Sequence, residues 1–495
     1  MKFSLLLQEE FRKDSAFYMM EGFVMKVMKK RFMISFTMLL ILVLIAGCSS
    51  PNNNNTNQSA APQNEGTKEP QQGESSKSEK VKIIYSMWGS AEEGNKTQET
   101  ADIFNASQDR IEVEVLAIPW ENYMTKLNTM ATANQLPDTG MMREDGVIQW
   151  SSQGMLSDIS AMYEGSDSKP LDSLAYTYQG KSVAYASANE ILLLYYNKDM
   201  FDKANVSYPP STLDKAWTWD EFVETAKKLT IDKNGKHPGE ASFDSQSIVQ
   251  YGASIENLPW QLETWTLSNG GGFYNNDGTE VKVGEEASIE AIQKVADLYL
   301  KDHVAPLSVG QTDDGIQRTI IAGTVAMATN GQWNIGTSLN VAKEEGLNYG
   351  VAVLPYMKDK VTLNTGGASV VFSQTKHPEE AMEWLKWYSQ EENNWGLIES
   401  GIWMPVLEKW YTDETLTRKW VENPNFPPYE EYKSAVVDYA QSSARPASWF
   451  FTNNTTEFNT LLGSILGDVW TGKTTAKEAI TKNLDALKAA NKGEN

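Results

Sequence analysis

Residues 191–196 read Ile-Leu-Leu-Leu-Tyr-Tyr, six apolar side chains in a row without alternation. Such a run hides both of its faces, as a strand does inside a sheet covered on two sides. Toward the N-terminus, Val81, Ile83, Tyr85 and Met87 alternate with more exposed positions. Ile111, Val113 and Val115 alternate with Glu112 and Glu114. Both patterns have the period of a strand, and the segment between them, to about Gln108, reads as helix. Toward the C-terminus, Thr218 and Glu221 stand at capping-box spacing ahead of Phe222, Ala226 and Leu229, which share one helical face. The spacing recurs at Thr475 and Glu478, ahead of Ile480, Leu484 and Leu487, and Ile289, Ile292, Val295 and Tyr299 mark another amphipathic helix. Asn234-Gly235 and Asp277-Gly278 read as turns. Strands alternating with helices from residue 81 to about residue 490, with no internal repeat of fixed period, predict open α/β sheets in two lobes.

Composition narrows the function classes. A chain of 495 residues allows about two to four folding units, and 41% hydrophobic with 22% charged residues is enough for a sizeable core. Sixty-five acidic residues against 43 basic ones give a formal net charge of −22. That surface repels phosphate backbones, so nucleic acid is not an expected partner. One cysteine, Cys48, and three histidines, His237, His303 and His377, exclude internal disulfides and Cys/His zinc sites. The sixteen tryptophans all follow residue 80 and supply an unusual amount of flat aromatic surface.

The first eighty residues read as an address. Lys26, Lys29, Lys30 and Arg31 precede an apolar run from Phe32 to Gly47, broken only by Ser35 and Thr37. The run is shorter than the roughly 20 residues of a bilayer-spanning helix and has the form of a secretory signal over residues 1–47. Met25 would begin a signal of ordinary length. The run ends Leu44-Ile45-Ala46-Gly47-Cys48, which resembles the lipobox of bacterial lipoproteins. The resemblance implies that Cys48 is acylated and becomes the mature N-terminus; an uncleaved anchor with a free Cys48 is the alternative. Residues 49–80 contain no Val, Ile, Leu, Phe, Tyr or Trp, so residues 48–80 are expected to be a lipidated Cys and a disordered tether.

A set of short segments carries a second resemblance. In order they are Met87-Trp88-Gly89; Pro119-Trp120-Glu121-Asn122-Tyr123; Leu136-Pro137-Asp138; Leu194-Tyr195-Tyr196-Asn197-Lys198-Asp199-Met200-Phe201; and Trp217-Thr218-Trp219-Asp220-Glu221-Phe222. Then come Ala322-Gly323-Thr324-Val325-Ala326-Met327 with Gly331-Gln332-Trp333, Tyr349-Gly350-Val351-Ala352-Val353-Leu354-Pro355, and Gly366-Gly367-Ala368-Ser369 ahead of Pro378-Glu379-Glu380-Ala381. Their order and spacing across residues 81–490 resemble the family-1 extracellular solute-binding proteins, the carbohydrate receptors of ABC importers to which maltose-binding protein belongs.

That resemblance implies a periplasmic-binding-protein-like fold with three crossovers, near Ala186–Glu190, Thr365–Ser369 and Trp403–Val406. Lobe one would hold 81–187 plus 366–404 and lobe two 188–365 plus 405–495, with a ligand cleft between them that closes on a hinge. It also implies an ABC permease as partner, with nucleotide hydrolysis on another chain, since no G-x-x-x-x-G-K-[ST] occurs here. A monomer held at the outer face of the cell membrane by its lipid is expected, without cofactor, metal or catalysis.

Sugars offer apolar C–H faces to aromatic rings and hydroxyls to carboxylates and amides. Trp333 matches the family position whose aromatic ring stacks on the sugar; a core tryptophan is the alternative. Trp88 and Gly89 end the first strand, where open α/β sheets bind ligands, and Glu93 follows them. Asp145, in Arg143-Glu144-Asp145, is a candidate hydroxyl acceptor, against a solvated loop charge. Trp260, Trp265 and Asn269-Gly270-Gly271-Gly272 are candidates for the second lobe's wall, Trp403 for a further stacking face, and Gly367 for the cleft at the second crossover. Trp384, Trp387 and Trp395 are assigned to packing. Asp232-Lys233-Asn234-Gly235 reads as a turn, since its glycine comes two positions early for an EF-hand; a calcium site of another kind at Asp232 stays open. A lipid-anchored glycoside hydrolase and a polysaccharide adhesin are the competing functions.

Overall fold

The computed structural model describes residues 80–89, 91–163, 170–307, 315–393 and 395–492. The signal, the tether and Cys48 lie outside them. Strand β1 (Val81–Trp88) leads through helix α1 (Ala91–Ser107) to β2 (Ile111–Ile118), and then to β3 (Thr139–Met142), α2 (Glu144–Ser152), β4 (Tyr176–Tyr178) and β5 (Lys181–Ala186). β1 runs parallel to both β2 and β3. In β2, Ile111 and Val113 are buried while Glu112 and Glu114 face out, as expected for an edge strand with one wet face.

After β5 the chain changes sheets. β6 (Glu190–Asn197) is buried from Ile191 to Asn197, which explains its unbroken apolar run. It pairs antiparallel with β9 (Val325–Gly331) on one side, and with β10 (Tyr349–Ala352) and β11 (Thr362–Thr365) on the other. Between β6 and β9 lie α3 (Trp219–Leu229), β7 (Ile231–Asp232), β8 (Ile248–Ser254), α4 (Pro259–Ser268) and α5 (Glu286–Leu300). The capping box of α3 is closed: Thr218 accepts the Glu221 N–H, and Glu221 accepts the Thr218 N–H at 2.8 Å, an arrangement that stabilises a helix by about 1 kcal/mol.

β12 (Ala368–Val371) returns to the first sheet, antiparallel to β3 and β5, giving the order β2-β1-β3-β12-β5-β4. Helix α6 (Pro378–Tyr388) carries Trp384, fully buried edge-on to Tyr85. β13 (Ala444–Pro446) completes the second sheet, β13-β11-β6-β9-β8-β7 with β10 also on β6, before α7 (Thr455–Trp470) and α8 (Ala476–Lys492).

Three chain segments therefore connect the two sheets side by side. Ser187 N–H bonds Gly367 C=O at 2.9 Å, and Asn189 exchanges backbone bonds with Met404 at 3.3 and 3.0 Å. Asn189 is fully buried; its side chain accepts from Asn364 and donates to the Tyr411 hydroxyl. The result is a two-lobed α/β molecule with a sheet in each lobe. Among the described residues no helix is long and apolar enough to cross a membrane.

The Asp232 loop is stapled by its own backbone. Oδ1 of Asp232 accepts the Asn234 and Lys236 N–H groups and Oδ2 that of Asp244, at 2.7–3.0 Å. Among the described residues no three His, Cys, Asp or Glu side chains gather as a metal ligand set.

Candidate functional site

A cavity of about 1190 Å³ is lined by residues that belong to both sheets and by the segments joining them. Its first wall begins where β1 ends. Trp88 stands edge-on to Trp120 (5.2 Å) and to Tyr123 (5.5 Å), and the Arg143 guanidinium lies 5.1 Å from the Trp120 ring centre. Gly367, at the second connection, fits beneath Trp88: a Cβ there would come within 2.5 Å of the indole. Gly89 has φ +148°, a conformation that favours glycine, and turns the chain into α1.

The second wall is also tryptophan. Trp333 follows β9, with its ring centre 6.4 Å from Trp260, which in turn meets Trp449 at 6.0 Å. Gly331 makes that orientation possible, since a Cβ at this position would lie 1.8 Å from the Trp333 ring. Trp403, from the third connection, is 7% exposed and also lines the cavity. Six tryptophans thus border one space.

Its charged groups are mostly acids. Glu93, Glu114, Glu121, Glu144, Asp145 and Glu190 line the cavity, and Arg143 is the one basic residue among the described lining. Arg143 bonds Asp145 Oδ2 at 2.8 Å, and Thr456 Oγ1 donates to the same oxygen at 2.7 Å. Glu144 opens α2 and Glu190 opens β6. Burial pushes the Glu190 carboxyl up to about 8, with the charge of Glu144 adding to it and Thr365 opposing it. Burial pushes Glu144 up to about 7, against hydrogen bonds from backbone N–H groups that include Gly366. Carboxylates, amides such as Asn334 and Asn459, and flat aromatic faces are the chemistry that holds polyhydroxylated rings.

Of the residues singled out in the sequence, Trp88, Gly89, Glu93, Asp145, Trp260, Trp333, Gly367 and Trp403 border this cavity. Trp265 does not. It is 2% exposed and packs edge-on to Trp219 at 5.2 Å inside the second lobe. Five residues along a helix turn the side chain by about 140°, so α4 presents Trp260 to the cavity and Trp265 to the core. The Asn269–Gly272 loop is likewise structural: Asn269 bonds Ala287 and Glu290, and Gly272 bonds Ser288, all on α5. Glu144, Glu190, Trp120 and Trp449 were not singled out. Glu190 had a visible signal, a lone acid abutting an apolar run at a crossover. Trp449 had none.

A family model described as bacterial extracellular solute-binding protein matches residues 99–428. The chain belongs to that family. Among curated solute-binding proteins it is 31% identical over 252 residues to the sn-glycerol-3-phosphate-binding periplasmic protein UgpB of Rhizobium meliloti (strain 1021), covering 49% of this chain and 53% of that one. It is 25% identical over 284 residues to the maltodextrin-binding protein MdxE of Bacillus subtilis (strain 168), covering 55% and 61%. These matches span little more than half the length of the relatives. Among solved structures, a Listeria monocytogenes ABC substrate-binding protein in complex with cycloalternan superposes with TM-score 0.68 at 23% identity, over 84% of this solute-binding protein and all of the other. The GacH receptor of Streptomyces glaucescens gives TM-score 0.67 at 20% identity, over 84% and 100%. At that identity the likeness is one of fold.

Proposed function

We propose that this solute-binding protein captures an oligosaccharide outside the cell and delivers it, uncleaved, to the permease of an ABC importer. The observation that carries the reading is the six-tryptophan cavity. At about 1190 Å³ it exceeds the usual range for sites that take one small molecule, and its walls alternate stacking faces with hydroxyl-binding acids. The maltodextrin named for MdxE and the cycloalternan bound by the Listeria protein are oligosaccharides of this kind. In this reading residues 81–187 and 366–404 form one lobe and 188–365 and 405–495 the other, closing about the three joining segments as a monomer. Lipid on Cys48, with residues 49–80 as tether, would hold it at the membrane surface.

The test is capture. The protein is incubated with mixed partial digests of plant and microbial polysaccharides, washed, and its bound glycans are released and identified by mass spectrometry. One intact oligosaccharide per chain, with no products on prolonged incubation, is expected. Steady release of shorter products would make the protein a hydrolase using Glu144 and Glu190 as its carboxyl pair.

A further inference from the structure

β8 runs parallel to β9 with Ser254 opposite Ala328. Two residues further on, the same register brings Glu256 beside Asn330. Both are buried, and neither is among the described residues that line the cavity. Glu256 Oε1 accepts from Asn330 Nδ2 at 3.1 Å and Oε2 from Gln261 Nε2 at 3.0 Å. The Tyr299 hydroxyl donates to the C=O of the preceding residue, Ile255. Gly315 packs so closely that a Cβ there would lie 1.7 Å from Glu256 Oε1. We propose that Glu256 is a positioning residue for the binding site: by holding Asn330 and Gln261 it sets Trp333, Trp260 and the amide of Asn334 in place at the cleft. The inference rests on the oligosaccharide reading and adds to it a residue that touches no ligand.

Because both oxygens of Glu256 accept amide N–H groups, they settle which way round the Asn330 amide lies. Its Nδ2 turns to Glu256, and its Oδ1 is left to accept the Gly331 N–H at 2.7 Å and Asn334 Nδ2 at 3.0 Å. Gly331 is the residue under the Trp333 ring. Asn334 Nδ2 also donates to the Gly331 C=O at 2.9 Å, which uses both of its N–H bonds. Asn334 borders the cavity, so its carbonyl oxygen is what the side chain has left to offer a ligand, an acceptor for a sugar hydroxyl. On the other arm, Gln261 directly follows Trp260 on α4. One buried carboxyl group thus ties two rings 6.4 Å apart and one hydroxyl acceptor into a single bonded unit. Side chains fixed in this way spare the ligand the cost of ordering them.

The test exchanges donor and acceptor. Full-length wild type in detergent is screened on an oligosaccharide array, and the best-bound member becomes the probe for calorimetry of the variants, well below their melting temperatures. Asn330→Asp alone sets two carboxyl groups against each other and should weaken binding by roughly tenfold, the scale of one lost hydrogen bond to a charged group. Adding Glu256→Gln restores the chain: the new amide donates to the aspartate and accepts from Gln261, while the aspartate still accepts from Gly331 and Asn334. The double variant should therefore bind within about threefold of wild type, a coupling that two independent sites would not show. Glu256→Ala, which removes the acceptor, replaces Asn330→Asp if that variant does not fold, and should show the same loss. A merely structural role would lower the melting temperature and leave the affinity of the folded protein unchanged. Wild-type affinity in folded Asn330→Asp or Glu256→Ala overturns the proposal, as does a double variant still weakened by roughly tenfold. Wild type binding no member of the array overturns the oligosaccharide reading itself, and this inference with it.

Discussion

Thr456 Oγ1 donates to Asp145 Oδ2 at 2.7 Å, joining residues 311 positions apart. One belongs to α7 and the other to α2, whose first turn borders the ligand cavity. The same carboxylate takes Arg143, so the bond from α7 and the lining of the cleft meet at one side chain. A ligand favours a closed form only as far as it binds that form better, and in the proposed hinge closure this bond would add to the closed side. Thr456→Val should weaken oligosaccharide binding by about tenfold, the effect of losing one hydrogen bond to a charged group, with little change in melting temperature. Calorimetry showing unchanged affinity would remove the bond from the closure mechanism.

Gly331 and Gly367 predict a second outcome. Each lies under a tryptophan ring at a distance that leaves no room for a methyl group. Gly331→Ala should displace Trp333, and Gly367→Ala should displace Trp88, each costing at least tenfold in affinity, on the order of 1 to 3 kcal/mol for a lost stacking face. Titrating each variant with the captured glycan checks this, and wild-type affinity in both would mean that neither ring touches sugar.

Stability should fall as pH rises through neutrality. Glu263 and Glu391 are 4% and 3% exposed, and burial pushes both carboxyls up to about 7. Between pH about 4.5 and 7 the unfolded chain has released protons that the folded chain still holds. Folding is therefore favoured at the lower end of that window and loses up to about 3 kcal/mol per group by its upper end. The melting temperature should be higher at pH 5.5 than at pH 8. Glu391→Gln should flatten the slope, since the amide oxygen can still accept the Val406 and Leu407 N–H groups that Glu391 Oε1 holds. A slope unaffected by that substitution would contradict this account.

Cys48 gives a prediction outside the folded lobes. Cys48→Ala should leave the protein unprocessed or released from the membrane fraction, because a lipid chain on that residue would be its attachment. An unchanged mature mass and membrane fraction would refute the anchor.

Much of this molecule was legible in its sequence, and the failures share a cause. Ile191–Tyr196 announced a doubly covered strand because burial on both faces leaves no polar position. Thr218 and Glu221 announced a helix start because their chemistry is local. Trp88 and Trp333 could be placed because each follows directly on a strand end. Trp265 could not, since a period of 3.6 residues separates it from Trp260 on α4 in a way that composition does not display. Trp449 reaches the cleft only because β13 pairs with β11, a partnership across some eighty residues with no local mark. Glu144 and Glu190 acquire their significance from meeting at the joining segment, which neither stretch of sequence encodes alone.

The central claim is that the tryptophan-lined cavity holds the oligosaccharide, and Trp333 tests it most directly. Trp333 is partly buried, its neighbour Gln332 donates to the Gly401 carbonyl and Asn334 to Asn330 and Gly331, and its ring borders the open space beside Trp260. Isothermal titration of wild type and Trp333→Ala with the captured oligosaccharide, alongside melting of the unliganded proteins, separates its two possible roles. The account predicts binding weaker by roughly ten- to a hundredfold, the equivalent of about 1 to 3 kcal/mol, with a nearly unchanged melting temperature. Wild-type affinity together with a stability loss of about 3 to 5 kcal/mol, as for truncating a core tryptophan, would contradict it.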